Sequence, residues 1–90
     1  MQVKNKIIEL QLHHCIKQHL LTIEFYEKKL KRLNNLKKID LDNEPSTLFK
    51  NKHKKWELEI ESYDKEIEET NTLLIEETKS LEETMNILKN

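Results

Sequence analysis

Ninety residues bound the chain to one small domain, residues 1–90, and the absence of glycine with a single proline excludes sheet-rich folds that need many sharp reversals. Charged residues make up 37% and hydrophobic residues 36%, the mixture of amphipathic helices that bury a narrow stripe and solvate the rest, so the expected class is all-α. The formal net charge of -1 hides an uneven spread: residues 28–55 hold ten Lys or Arg against three acids, and residues 56–90 hold eleven acids against three Lys.

No apolar run approaches the roughly 18 residues needed to cross a bilayer, and the opening MQVKNKIIELQL carries charges where a signal peptide needs a clean apolar stretch. One cysteine cannot close an internal disulfide, which fits a reducing compartment. The expected location is cytoplasmic, with no membrane partner.

The first helix is expected over about residues 2–40. Leu12, Ile16, His19, Ile23, Tyr26, Leu30 and Leu33 recur in alternating steps of four and three, the seam of a helix that packs along another helix. Residues 40–47, DLDNEPST, hold the only proline. Proline disfavours helix at Glu44 before it and tolerates the first turn of a helix after it, so the turn is expected over about 41–45, with Ser46 or Thr47 as an alternative N-cap. The second helix, about 46–89, repeats the spacing through Phe49, His53, Trp56, Ile60, Tyr63, Ile67, Thr70 and Leu74.

Folding back near Asn43 makes a long antiparallel, coiled-coil-like hairpin in which facing residues have numbers adding to about 86. Leu30 then meets Trp56, His19 meets Ile67 and Leu12 meets Leu74, and both lysine-rich segments gather at the turn with most of the acids toward the open end. Past Leu74, Glu77 and Thr84 fall where apolar residues belong. A break near 70–72, at Thr70, Asn71 and Thr72, would close the hairpin into a three-helix bundle with a short C-terminal helix; continuous helix is the preferred reading, because no glycine or proline enforces a stop.

The stretch Leu12 to Leu20 reads LHHCIKQHL. Cys15 and His19, four apart, share a helix face, the spacing that two metal ligands need, but His13 and His14 point elsewhere and His53 lies far along the hairpin. The expected role of His19 is seam packing, with Cys15 a small flanking hydrophobe; a metal site shared between subunits is the alternative. No nucleophile with a base and an orienting acid can be assembled, so no enzyme, cofactor or resident metal is expected.

A single seam leaves the burial on a two-helix hairpin short of the entropy cost of ordering it. The remaining apolar residues, Ile7, Leu10, Leu21, Leu73, Ile75, Met85 and Ile87, concentrate at the open end, and Lys28, Lys29, Arg32, Lys50, Lys54 and Lys55 at the turn. These thirteen are the candidate partner-binding residues, the partner being a protein or a second copy of the chain. Nucleic acid is disfavoured, since Trp56 belongs to the seam and no aromatic side chain is left to stack on bases.

The segment IKQHLLTIEFYEKKLKRLNNLKKID, residues 16–40, with its Tyr26-Glu27-Lys28 element, short acidic loop and charged second helix, resembles the tubulin-binding cofactor A family. That resemblance implies a non-enzymatic, cytoskeleton-associated chaperone that captures β-tubulin through its helices without nucleotide or metal, on a three-helix bundle. The alternative is a structural coiled-coil subunit that self-associates or assembles with partner helices in a larger complex.

Overall fold

The computed structural model describes residues 6–89; the expected start of the first helix at residues 2–5 lies outside them. Two helices, α1 (Lys6–Asp42) and α2 (Lys50–Lys89), lie antiparallel in an extended hairpin measuring 70 × 14 × 14 Å. Among the described residues there is no strand and no third helix. The all-α hairpin expected from the seams is the fold; its closure by a short third helix does not occur.

The reason lies in the threonines. Thr70 Oγ1 donates to the Glu66 carbonyl at 2.7 Å, Thr72 to Glu68 at 3.1 Å and Thr84 to Ser80 at 3.0 Å. Each hydroxyl is spent one turn back on its own helix instead of capping a new one. α2 therefore runs unbroken through 70–72.

The turn lies later than expected, at residues 43–49 instead of about 41–45, and α2 begins at Lys50 instead of near residue 46. Ser46 does not cap α2 directly. Its hydroxyl accepts from Leu48 N at 3.2 Å and its carbonyl from Phe49 N at 3.1 Å, forming a tight serine turn that delays the helix. Phe49, expected in the seam, is consequently an exposed loop residue.

α1 ends without glycine. The Asn43 side chain donates to the Ile39 carbonyl at 2.7 Å, while the Asp40 carbonyl takes the Asn43 backbone N–H at 3.2 Å and the Trp56 indole N–H at 2.6 Å. Two of the carbonyls that every helix end leaves orphaned are thus satisfied, one of them by a side chain from α2. The Asp40 carboxylate also accepts from the Tyr63 hydroxyl, so one residue fastens α1 to two seam positions of α2 that are two turns apart. His53 completes the turn end, 3.5 Å from Glu44, 3.2 Å from Glu57 and with its ring centroid 5.2 Å from that of Trp56.

The register differs from the expected one. Glu44 with His53, Asp40 with Trp56, Lys29 with Glu66 and His19 with Glu77 are pairs whose numbers add to 95–97, while Lys37 with Asp64, Asp40 with Tyr63 and His19 with Thr84 add to 101–103, so the contacts straddle a sum of about 99, not 86. Trp56 therefore meets Asp40 and not Leu30, and His19 meets Glu77 and not Ile67. A register near 86 would leave the last two or three turns of α2 without a neighbour, whereas this one sets them beside the start of α1. It also lays Lys28–Lys38 of α1 beside Glu57–Glu69 of α2, where Lys29 pairs with Glu66 at 3.8 Å and Lys37 with Asp64. Part of the basic and acidic charge thus meets across the hairpin, while Lys50, Lys52, Lys54 and Lys55 stay at the turn and Glu76, Glu77, Glu82 and Glu83 toward the open end.

The seam steps by threes and fours in both helices, from Leu12 to Asp40 and from His53 to Leu88, and every position in it is shielded from full exposure. Full burial is rare: Leu33 at 4% and Thr70 at 1% relative exposure are the only described residues classed as buried. Leu33→Ala should lower unfolding stability by about 2–4 kcal/mol in a urea titration, against less than about 0.5 for Leu21→Ala on the exposed face. The hydrogen bond to Asp40, aided by partial desolvation and by the Glu59 and Glu66 carboxylates, holds the Tyr63 phenol above its ordinary range. Because the folded state keeps that proton more tightly, the contribution is present at neutral pH and disappears as alkaline pH passes the folded value. In an ultraviolet titration, Asp40→Asn should bring the Tyr63 transition down toward that of a free phenol.

Candidate interaction surface

Sixteen large apolar side chains among the described residues are exposed, against one, Leu33, that is buried. The total accessible surface is 7521 Å². A compact monomer of the same mass would expose about 5,600 Å². The excess, about 1,900 Å², is of the size that one subunit buries in an obligate assembly.

All seven apolar candidates are exposed, with Ile7, Leu10 and Ile75 each at 67–68%. The helical phase does not gather them into one patch. Leu73 and Ile87 share one flank of the seam, Ile75 and Met85 the opposite flank, and Ile7 and Leu21 the outward face of α1. Ile7 and Leu10 border a shallow hollow with His14 and Cys15.

The basic candidates divide as well. Lys28 bonds Glu24 one turn back at 2.9 Å, a pairing that lifts the lysine above its usual range and holds the Glu24 carboxyl below its own. Lys29 serves the cross-hairpin pair with Glu66. Arg32, Lys50, Lys54 and Lys55 are exposed, and Lys52 lies over the Phe49 ring at 5.5 Å.

A continuous feature emerges on α1 once the flank of Lys29 is followed. Steps of three and four from Ile8 lead through Cys15, Thr22 and Phe25 to Leu36 and Ile39, with Lys29 and Arg32 the only charged residues on the path. In a chain that is 37% charged, this second stripe of low charge lies about 100° from the seam. Phe25 and Ile39 on this stripe are missing from the candidates chosen on sequence grounds, which follow the open end of the molecule. The spacing itself carried the signal. The corresponding flank of α2 holds Leu73 and Ile87, with Glu59, Glu66, Glu69, Glu76 and Glu83 between and beside them.

The histidine cluster resolves into separate roles. His19 Nδ1 lies 2.5 Å from Glu77 Oε1, and Nε2 lies 3.4 Å from Thr84 Oγ1. The two polar residues that interrupt the apolar pattern of α2 are therefore the ones that meet the polar seam residue of α1. His13 lies 3.9 Å from Glu9 on its own helix, and Cys15 is exposed on the flank. No group of three or more His, Cys, Asp or Glu among the described residues is arranged to hold a metal ion. No described helix is long and apolar enough to cross a membrane.

No protein-family model, curated protein or solved structure matches the chain. His19 and Glu77 are each about three-quarters shielded from solvent. A double-mutant cycle on His19→Ala and Glu77→Ala should give a coupling of about 0.5–1.5 kcal/mol in thermal or urea unfolding, whereas His13→Ala with Glu9→Ala should give less.

Proposed function

We propose that the chain is a non-enzymatic protein-binding module, a helical hairpin that completes its hydrophobic core on the helices of another protein molecule. The observation that carries this reading is the imbalance between one buried and sixteen exposed large apolar side chains, on a scaffold whose helices are already joined by the Lys29–Glu66 and Lys37–Asp64 pairs. At about 25 cal/mol per Å² of apolar surface, burial along a single seam is too small to offset the entropy of ordering two helices of 37 and 40 residues. Covering a flank of the seam supplies the difference.

Of the two forms of the reading, a structural subunit that assembles with itself or with partner helices fits a two-helix hairpin with whole-length unpartnered flanks better than a self-contained chaperone does. β-Tubulin is the named candidate partner on the strength of residues 16–40, whose resemblance to tubulin-binding cofactor A suggests a cytoplasmic chaperone associated with the cytoskeleton. The three-helix bundle of that family is the feature this hairpin lacks.

Circular dichroism across a dilution series, combined with gel filtration alone and with tubulin, tests the reading. Helicity that falls on dilution and is restored by a partner is expected. Added salt should weaken association with an oppositely charged partner. Co-elution with tubulin selects the chaperone form, and self-assembly indifferent to tubulin selects the structural form. A fully helical monomer at every concentration that binds neither itself nor tubulin would sink both.

A further inference from the structure

Resting on the assembly reading above, we infer that the missing neighbour is a second copy of this chain, packed so that α1 of each hairpin lies against α2 of the other with the two turn ends together, giving a four-helix bundle around a two-fold axis parallel to the helices.

The flank running from Ile8 to Ile39 carries the argument. It spans the whole of α1, lies about a quarter-turn from the intramolecular seam, and shares its side of the hairpin with Leu73 and Ile87, as the Lys29–Glu66 pair shows. Phe25 at its centre is 62% exposed. The opposite flank of α1 is a poorer surface, interrupted by Lys17, Glu24, Glu27, Lys31 and Lys38. Burying this flank in both copies removes surface of the order of the excess that each hairpin exposes.

Charge decides how the two copies are oriented. If the turn of one copy lay over the open end of the other, α1 would pack on α1 and α2 on α2, and the second contact would set Glu69 of one chain against Glu76 of the other along an already acidic stripe. With the turns together, α1 instead faces α2, and the symmetry imposes the same register as inside the hairpin. Lys29 and Arg32 of one copy then fall level with Glu69 and Glu66 of the other. Phe25 and Gln11 face Leu73 and Ile87, and Thr22 and Gln18 face Glu76 and Ser80. Every adjacent pair of helices is antiparallel, so the helix dipoles also alternate favourably.

Single-cysteine chains test this directly, because a disulfide between two of them is necessarily intermolecular. On a Cys15→Ser background, Gln18→Cys and Ser80→Cys chains are mixed and mildly oxidised, with a Lys29→Cys chain in parallel, while sedimentation reports the oligomeric state of the unmodified protein. The expected result is a dimer whose main mixed product joins positions 18 and 80. Positions 18 and 29 stay about 16 Å apart along the bundle in this arrangement, beyond disulfide reach. A dominant product joining 18 and 29 would overturn the inference in favour of α1 packed on α1. A dimer yielding neither product would place the contact on another face, and a monomer at tens of micromolar would remove the second copy altogether. The first two results leave the assembly reading standing, as does a monomer that binds tubulin; a monomer that binds nothing removes both.

Discussion

The register of the two helices is the constraint on which everything else in this molecule depends. A seam spaced by threes and fours can be slid past another such seam in steps of about one heptad without losing its apolar phase, so burial alone scarcely distinguishes one alignment from the next. Weak terms then decide. Exposed ion pairs contribute about 0–1 kcal/mol each, but the alignment that sets Lys28–Lys38 beside Glu57–Glu69 forms the Lys29–Glu66 and Lys37–Asp64 pairs, whereas the alignment about two heptads away would set the same lysines beside Lys50–Lys55. A neighbour for the last turns of α2 adds to the same preference, and the hydrogen bond from Trp56 to the Asp40 carbonyl fixes it at the turn.

The cost of this solution is a thin core. Two helices sharing one seam bury only Leu33 and Thr70 completely among the described residues, the other seam residues are half-buried, and sixteen large apolar side chains remain exposed. The second stripe of low charge on α1, with Lys29 and Arg32 its charged members, is left on the outside of this thin core.

The polar seam residues carry the same logic. His19, Glu77 and Thr84 would weaken any alignment in which each faced an aliphatic partner, because a shielded polar group without a hydrogen bond costs more than the bond returns. In the observed register they face one another, and the Thr84 hydroxyl, donating to the Ser80 carbonyl, has a lone pair left for His19. A cluster that reads like a ligand set in the sequence thus acts as a register mark.

The sequence by itself determined the class, the two helices, the loop and the seam, since these rest on local facts: the absence of glycine, one proline and an unbroken alternation of threes and fours. It also determined that apolar surface would be left over. The alignment of the helices and the partner of His19 were decided only in the tertiary structure. The reason is that periodicity fixes which face of a helix is buried but not how far along its neighbour it lies; that distance is set by side chains about 60 residues apart in sequence, His19 with Glu77 and Thr84 among them, meeting in space. The start of α2 at Lys50 belongs to the same group, because the turn at Ser46 and the hold of Asp40 on Trp56 and Tyr63 act together across the loop.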